Sequence, residues 1–289
     1  MALEMEKESL DFVTPAQSRF YQPAVALEFF KSAGKAESFA PGKSVFVENE
    51  SAASVFSEGA RMYLLLDGEV TLSVGKKAIG TVARGEVFGE MASISQLPRT
   101  ATAVARTACS VISLSEKQIQ SALAKSPEFA LMLMNIIISR LRETITKLTS
   151  GGRLSDNDRW NKAAVFDRKL LADLEREFEE KPAAMHPLNK VVMKEGDRGI
   201  FMYVVREGVV SISIREKVIE KVGPGGVFGE MALVDQSPRV ATAMAETDCI
   251  LLAINRIDFL NLVKTKPAFA LSLLKALSER LRFMTSLYK

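Results

Sequence analysis

Residues Gly85 to Ala105 read GEVFGEMASISQLPRTATAVA, and residues Gly225 to Ala245 read GGVFGEMALVDQSPRVATAMA. The two stretches agree at 14 of 21 positions, and counterparts stand at a constant offset, so Arg99 corresponds to Arg239. A repeat of about half the length in a chain of 289 residues calls for two copies of one domain of ordinary size. Each copy carries a glutamate and an arginine nine residues apart in a run of mostly small and apolar residues.

Residues 1–37 lie outside the repeat. Asp11 to Gln17 reads as a loop around Pro15. Pro23 to Phe30 reads as a short helix with proline at its first position, packing Val25, Leu27 and Phe30 on the first domain. From Ser38 the pattern turns to short β-type runs: Phe39, Val45 to Val47 and Met62 to Leu66, with Asp67-Gly68 as a hairpin turn. Val70 to Val74 and Ala78 to Val82 form a further hairpin about Gly75-Lys76, and Thr100 to Leu114 alternates as strands do. Many short strands broken by turns indicate a barrel or jelly roll, not a parallel sheet.

Helical spacing begins at Ser115, where Gln118 completes a capping box. A helix after Pro127 presents an apolar face from Phe129 to Ile145 and stops at Gly151-Gly152. Residues 157–180 read as a charged helix with Trp160, Val165, Phe166, Leu170, Leu174 and Phe178 on its apolar side, and Lys181 to Pro187 as a break. The order then repeats through Val191 to Met193, Phe201 to Val205, Val209 to Ile214 and Val218 to Val222. It ends in a helix capped by Asn255 and a last helix from Phe269 to Leu287. The expected layout is an N-terminal extension over 1–37, a first domain over 38–150, a helical linker over 151–184 and a second domain over 185–289. The class is mainly β with α.

Composition excludes more than it selects. With 38 Lys and Arg against 35 Asp and Glu, the net charge of +3 gives little long-range steering toward nucleic acid. The two cysteines, Cys109 and Cys249, keep the offset of the repeat and read as a small buried hydrophobe in each core, without disulfide or metal-ligand spacing. The single histidine, His186, stands beside Pro187 in the expected linker break of Lys181 to Pro187 and leaves no histidine-cluster chemistry. No Ser/His/Asp set, metal cluster or GxxxxGK[ST] loop is present, so the chain reads as a non-enzyme. The N-terminus is acidic where a signal peptide is basic then apolar, and the apolar run Leu131 to Ile138 is too short to span a bilayer. The expected location is the cytoplasm, with no membrane partner.

In the motif itself, Gly89 and Gly229 permit backbone angles that side chains forbid. The following GEMA can form a short helical turn with amides facing a concavity, which attracts an anion. The arginine fork suits phosphate oxygens, and the glutamate, an acceptor, suits sugar hydroxyls. Ala241 and Ala243 are small enough for a ligand to approach. The pattern therefore specifies a ligand with one phosphate and a neighbouring hydroxyl. A competing reading makes Glu90 and Arg99 a buried ion pair tying a loop to a strand, although such a pair is weak as a source of stability.

FGEMASISQLPRTATA and FGEMALVDQSPRVATA resemble the phosphate-binding cassette of the cyclic nucleotide-binding domain family. The resemblance extends over residues 38–150 and 185–289. It implies two β jelly rolls, each with helices at its ends, binding cAMP or cGMP as ligand and using no cofactor. By that resemblance Glu90 and Glu230 accept from the ribose 2′-hydroxyl, and Arg99 and Arg239 bind the cyclic phosphate. Backbone amides near Met91, Ala92 and Ala101, and near Met231, Ala232 and Ala241, complete the shell. Thr100 offers a hydroxyl beside the arginine where Val240 offers none, so the first site is expected to tolerate cGMP better. Trp160 at the first site, and Phe283 or Tyr288 at the second, are candidates to cap the base.

The expected function is a stand-alone sensor that holds cyclic nucleotide in two sites and relays binding through helix rearrangement to an unidentified effector protein. The sequence shows no DNA-binding, channel or kinase module. The alternative is a structural adaptor that keeps the fold without the ligand. The apolar helices over 128–149 and 269–287 either form a homodimer or pair within one chain.

Overall fold

The computed structural model describes residues 23–51, 60–155, 160–161, 164–180 and 184–287. The loop expected at Asp11 to Gln17, residues 181–183 of the Lys181 to Pro187 break and Tyr288 lie outside them. The first half runs α1 (Pro23–Ala33), β1 (Lys35–Phe39), β2 (Ser44–Phe46), β3 (Met62–Asp67), β4 (Val70–Val74), β5 (Lys77–Val82), β6 (Val87–Phe88), α2 (Glu90–Ser95), β7 (Thr102–Ala105), β8 (Cys109–Leu114), α3 (Glu116–Lys125) and α4 (Pro127–Ser150). After β9 (Trp160–Asn161) and α5 (Arg168–Glu177), the order recurs as β10 (Ala184–His186), β11 (Val191–Met193), β12 (Phe201–Glu207), β13 (Val210–Ile214), β14 (Lys217–Val222), β15 (Val227–Phe228), α6 (Met231–Asp235), β16 (Thr242–Ala245), β17 (Cys249–Asn255), α7 (Arg256–Thr265) and α8 (Pro267–Ser286).

Each half is a jelly roll of two sheets, antiparallel except where β9 joins β14. The first has strand orders β1-β8-β3-β6 and β2-β7-β4-β5, and the second β10-β17-β12-β15 and β11-β16-β13-β14-β9. Register repeats with the sequence: Leu64 faces Ile112 where Val204 faces Leu252. Asp67-Gly68 is a turn, but not of a hairpin. β3 and β4 belong to different sheets, so the turn carries the chain from one layer to the other. The Gly75-Lys76 hairpin forms as expected, with Val74 facing Lys77. Its counterpart Arg215-Glu216 closes with both φ angles positive, 48° and 69°, as the twist of such hairpins requires.

The helix caps follow the sequence. Gln118 accepts from the Ser115 amide in a capping box, and Asn255 accepts from the Asp258 amide. α1 buries Ala26 and Phe30, and stacks Phe29 on Phe129 at a ring separation of 3.9 Å.

Two expectations between the halves fail. The helix over 157–180 is α5 alone, starting at an Asp167 cap whose side chain accepts from the Leu170 amide. Upstream, Trp160–Asn161 runs parallel to β14 as an edge strand, and the amides of Val165 and Phe166 both donate to the Gly225 carbonyl at 3.0 Å. Tertiary hydrogen bonds to the second half thus override the local helical pattern. His186 likewise belongs to a strand, opposite Cys249, and not to a linker.

α4 and α8 pack along each other, with Leu133, Ile137, Leu141, Leu273, Leu277 and Leu281 buried in one continuous core. The apolar faces left to a homodimer or an intrachain pair are therefore buried in the intrachain pair. Among the described residues no single helix is long and apolar enough to cross a membrane.

Candidate functional site

Each motif adopts one design. β6 and β15 lead into a glycine with positive φ, 73° at Gly89 and 81° at Gly229, from which the short helix α2 or α6 departs. A Cβ on Gly229 would lie 2.7 Å from Nη1 of Arg239, so glycine is required for space as well as angle. Ala92 and Ala232 are buried in the first turn, beside the partly buried Met91 and Met231. Ala101 and Ala241 are buried where the chain enters β7 and β16. Gly89, Glu90, Met91, Ala92, Arg99, Thr100 and Ala101 thus form one neighbourhood. Gly229, Glu230, Met231, Ala232, Arg239, Val240 and Ala241 form the second and line a cavity.

The paired charges do not pair with each other. Arg99 donates from Nη1 to the Gly89 carbonyl and from Nη2 to the Arg61 carbonyl, both at 2.9 Å, with Phe46 under its fork at 4.1 Å. Arg239 repeats this with the carbonyls of Gly229 at 2.6 Å and Phe201 at 2.5 Å. Among the described residues no carboxylate comes within ion-pair distance of either arginine, and they are 5% and 7% exposed. Burial lowers the pKa of both, and the countering Tyr63 or Tyr203 and Glu90 or Glu230 do not restore it. Among the described residues each site thus holds a desolvated cation without a counter-ion, an arrangement costly unless an anion arrives.

The glutamates are held from elsewhere. Glu90 accepts from Arg140 of α4 at 2.6 Å, and Glu230 from Arg280 of α8 at 2.6 Å. The same guanidinium groups donate to the carbonyls of Val87 at 2.7 Å and Val227 at 2.6 Å. This overturns the reading of Glu90 and Arg99 as an ion pair. Arg280 also grips Glu220 of β14, at 3.0 and 3.1 Å, a carboxylate matched by Gly80 in the first half. Burial would lower the pKa of Arg280, but Glu220 and Glu230 outweigh it and raise it. Glu90 does the same for Arg140. Sequence reasoning missed these helix arginines, although SRLR and ERLR occupy matching places in the two paired helices, at the offset of the repeat.

In the second half these groups line a cleft that is partly open to solvent. Gly229, Glu230 and Arg239 form its polar end, and Met193, Ile212, Ile214, Phe283 and Met284 its apolar end. Leu141, Arg142 and Ile145 of α4 close it from the first half. Phe283, a candidate cap, is at the cavity. The Trp160 backbone pairs with β14 of the second half.

The cyclic nucleotide-binding domain family matches this chain twice, over residues 36–126 and 186–266. A cAMP-dependent protein kinase regulatory subunit from Eremothecium gossypii is 41% identical over 68 residues, 24% of this chain and 15% of its own length. A cyclic AMP receptor protein from Thermus thermophilus is 37% identical over 103 residues, 34% of this chain and 48% of its own. A cGMP-dependent protein kinase from Eimeria tenella is 26% identical over 235 residues, 81% of this chain and 20% of its own. A regulatory subunit of a cAMP-independent protein kinase A from Trypanosoma brucei aligns over 93% of this chain and 94% of that one, at 17% identity and a TM-score of 0.32. The chain spans less than half the length of each of these three curated relatives. Both matched segments contain the glycine, glutamate and arginine whose geometry recurs in the two halves, and the chain belongs to the cyclic nucleotide-binding domain family.

Proposed function

We propose that this chain is a cyclic nucleotide sensor that binds cAMP or cGMP in two sites and relays occupancy through α4 and α8 to a partner protein. The observation that carries this is the duplicated buried arginine, without a counter-ion among the described residues, near a carboxylate already fixed in direction. The cyclic phosphate would supply the missing anion at Arg99 and Arg239. Because Arg140 and Arg280 hold Oε1 of each glutamate, a ribose hydroxyl would meet Oε2. The site residues named from the sequence are the proposed ligand contacts. The role is regulatory and not catalytic, and relatives named for cAMP and for cGMP support both ligands. We place it in the cytoplasm, in keeping with two buried, free cysteines. Thermal melting with cAMP, cGMP and cyclic dinucleotides tests the reading: a cyclic mononucleotide at 1,000 times its Kd stabilises by about 4 kcal/mol. No shift with any of them would end it.

The relay follows from the latch between each helix and its glutamate. A ligand that binds the glutamate shares it with Arg140 or Arg280, and so favours one docking of α4 and α8 over another. Hydrogen exchange with and without cAMP is expected to change over residues 127–150 and 267–286. Unchanged protection in both would count against the relay.

Two local predictions separate the sites. Thr100 Oγ1 donates to Met91 Sδ at 3.7 Å, a weak bond that a ligand acceptor would replace, whereas Val240 packs against the core and has no hydroxyl. Calorimetry on Arg239→Ala, which isolates the first site, is expected to show a higher cGMP-to-cAMP affinity ratio than Arg99→Ala, which isolates the second. Equal ratios would reject this. At Gly199 a Cβ would stand 2.5 Å from Cζ of Arg239 and 2.7 Å from Cβ of Ala232. Gly199→Ala should therefore push the arginine aside and weaken the second site about tenfold, leaving the first unchanged in the same titration.

A further inference from the structure

The two long helices cross over to opposite motifs. Arg142 lies on α4 of the first half, yet its guanidinium grips the second. Nε donates to Asp235 Oδ2 at 2.5 Å, Nη2 to Oδ1 at 3.1 Å, and Nη1 to the Pro238 carbonyl at 3.0 Å. Asp235 is the last residue of α6, and Pro238 immediately precedes Arg239. The three residues joining α6 to Arg239 are thus held at both ends by one side chain from the other half. Gln236 within them has φ 55°, and the Ser237 amide donates to Asp235 Oδ1 at 3.0 Å. Arg142 also lines the cavity that contains Arg239.

The mirror contact exists but is weaker in kind. Arg282 of α8, the counterpart of Arg142 in the repeat, donates to the carbonyl of Pro98, which immediately precedes Arg99. At the position of Asp235 the first half has Ser95, whose hydroxyl donates to the Met91 carbonyl at 2.7 Å and carries no charge. A planar fork on a carboxylate fixes direction as well as distance, and a single bond to a carbonyl does not. The second motif is therefore the more firmly braced.

One turn of one helix touches both motifs. Arg140 holds Glu90 of the first, and Arg142 holds the Arg239 loop of the second. We propose that Arg142 is a positioning residue for Arg239, and that through it α4 couples occupancy of the two cyclic nucleotide sites. This rests on the proposed function for its ligand but not for its geometry. A ligand that fixes Glu90 and Arg140 fixes the helix that carries Arg142, so filling the first site tightens the second. By linkage, the second tightens the first by the same factor.

Two measurements on the whole chain test this. In the unliganded protein, Arg142→Met should speed amide exchange over residues 229–241 and leave residues 89–101 unchanged. Calorimetry with cAMP in the Arg99→Ala background, where the second site remains, should show Arg142→Met and Asp235→Asn each weakening binding about tenfold. The double variant should lose no more than the worse single one, because the two residues act as one pair. In the Arg239→Ala background neither substitution should move the first site. Unchanged exchange over 229–241, additive losses, or equal weakening of both sites would overturn the proposal. If the unsubstituted chain binds no cAMP or cGMP, the proposed ligand fails, and the exchange result decides the positioning role alone.

Discussion

The double substitution Arg99→Ala with Arg239→Ala should remove most of the rise in melting temperature that cAMP or cGMP produces. Each arginine is a buried cation placed beside Gly89 and Ala101, or Gly229 and Ala241, where a phosphate can meet it. Charge-assisted bonds of this kind are roughly twice as strong as neutral ones, and their loss in a desolvated site should cost at least 100-fold in affinity. At a ligand concentration 1,000 times the original Kd, a 100-fold loss at both sites leaves about 1.4 kcal/mol per site of an original 4 kcal/mol, and a 1,000-fold loss leaves about 0.4 kcal/mol. The unliganded variant should melt close to the original protein. Removing a buried charge without a counter-ion relieves desolvation and offsets the bonds lost to the carbonyls of Gly89, Arg61, Gly229 and Phe201. Differential scanning fluorimetry with and without nucleotide reads both quantities. A full shift in the double variant would remove Arg99 and Arg239 from the site.

What could be read from the sequence was what is repeated and local. The jelly-roll strands, the caps at Ser115 and Asn255 and the positive-φ glycines follow from alternation, capping chemistry and turn residues. Partner choice across the fold was not legible. Glu90 and Arg99 are nine residues apart, yet the carboxylate pairs with Arg140, far along the chain, because α4 returns over the motif. The stretch ahead of α5 carries helical spacing, but Gly225 accepts from the amides of Val165 and Phe166, and Phe166 stacks on Phe269 at 5.3 Å. Those contacts stop the helix at Asp167. Arg142 and Arg282 look equivalent in sequence. Their difference lies in Asp235 against Ser95, visible only once each helix is seen to cross to the opposite motif.

The same asymmetry sets the second large effect. Arg280→Met should destabilise the unliganded chain by about 3–5 kcal/mol, lowering the melting temperature of the second half by about 12–20 °C. The substitution leaves Glu220 and Glu230, whose side chains are 9% and 2% exposed, buried without their shared cation. It also strands the Val227 carbonyl. Arg140→Met should cost less, because Arg140 is 28% exposed, serves one carboxylate, and has Gly80 where Glu220 stands. Water can reach that pair and screen what remains. The control that separates charge from packing is Arg280→Met combined with Glu220→Gln and Glu230→Gln. Without buried charges, most of the lost stability should return, since neutral amides cost far less to bury than carboxylates that have lost a cation. If the triple variant melts as low as Arg280→Met alone, Arg280 holds the second half through the packing of its stem, and the ionic latch between α8 and the site is not what keeps the helix docked.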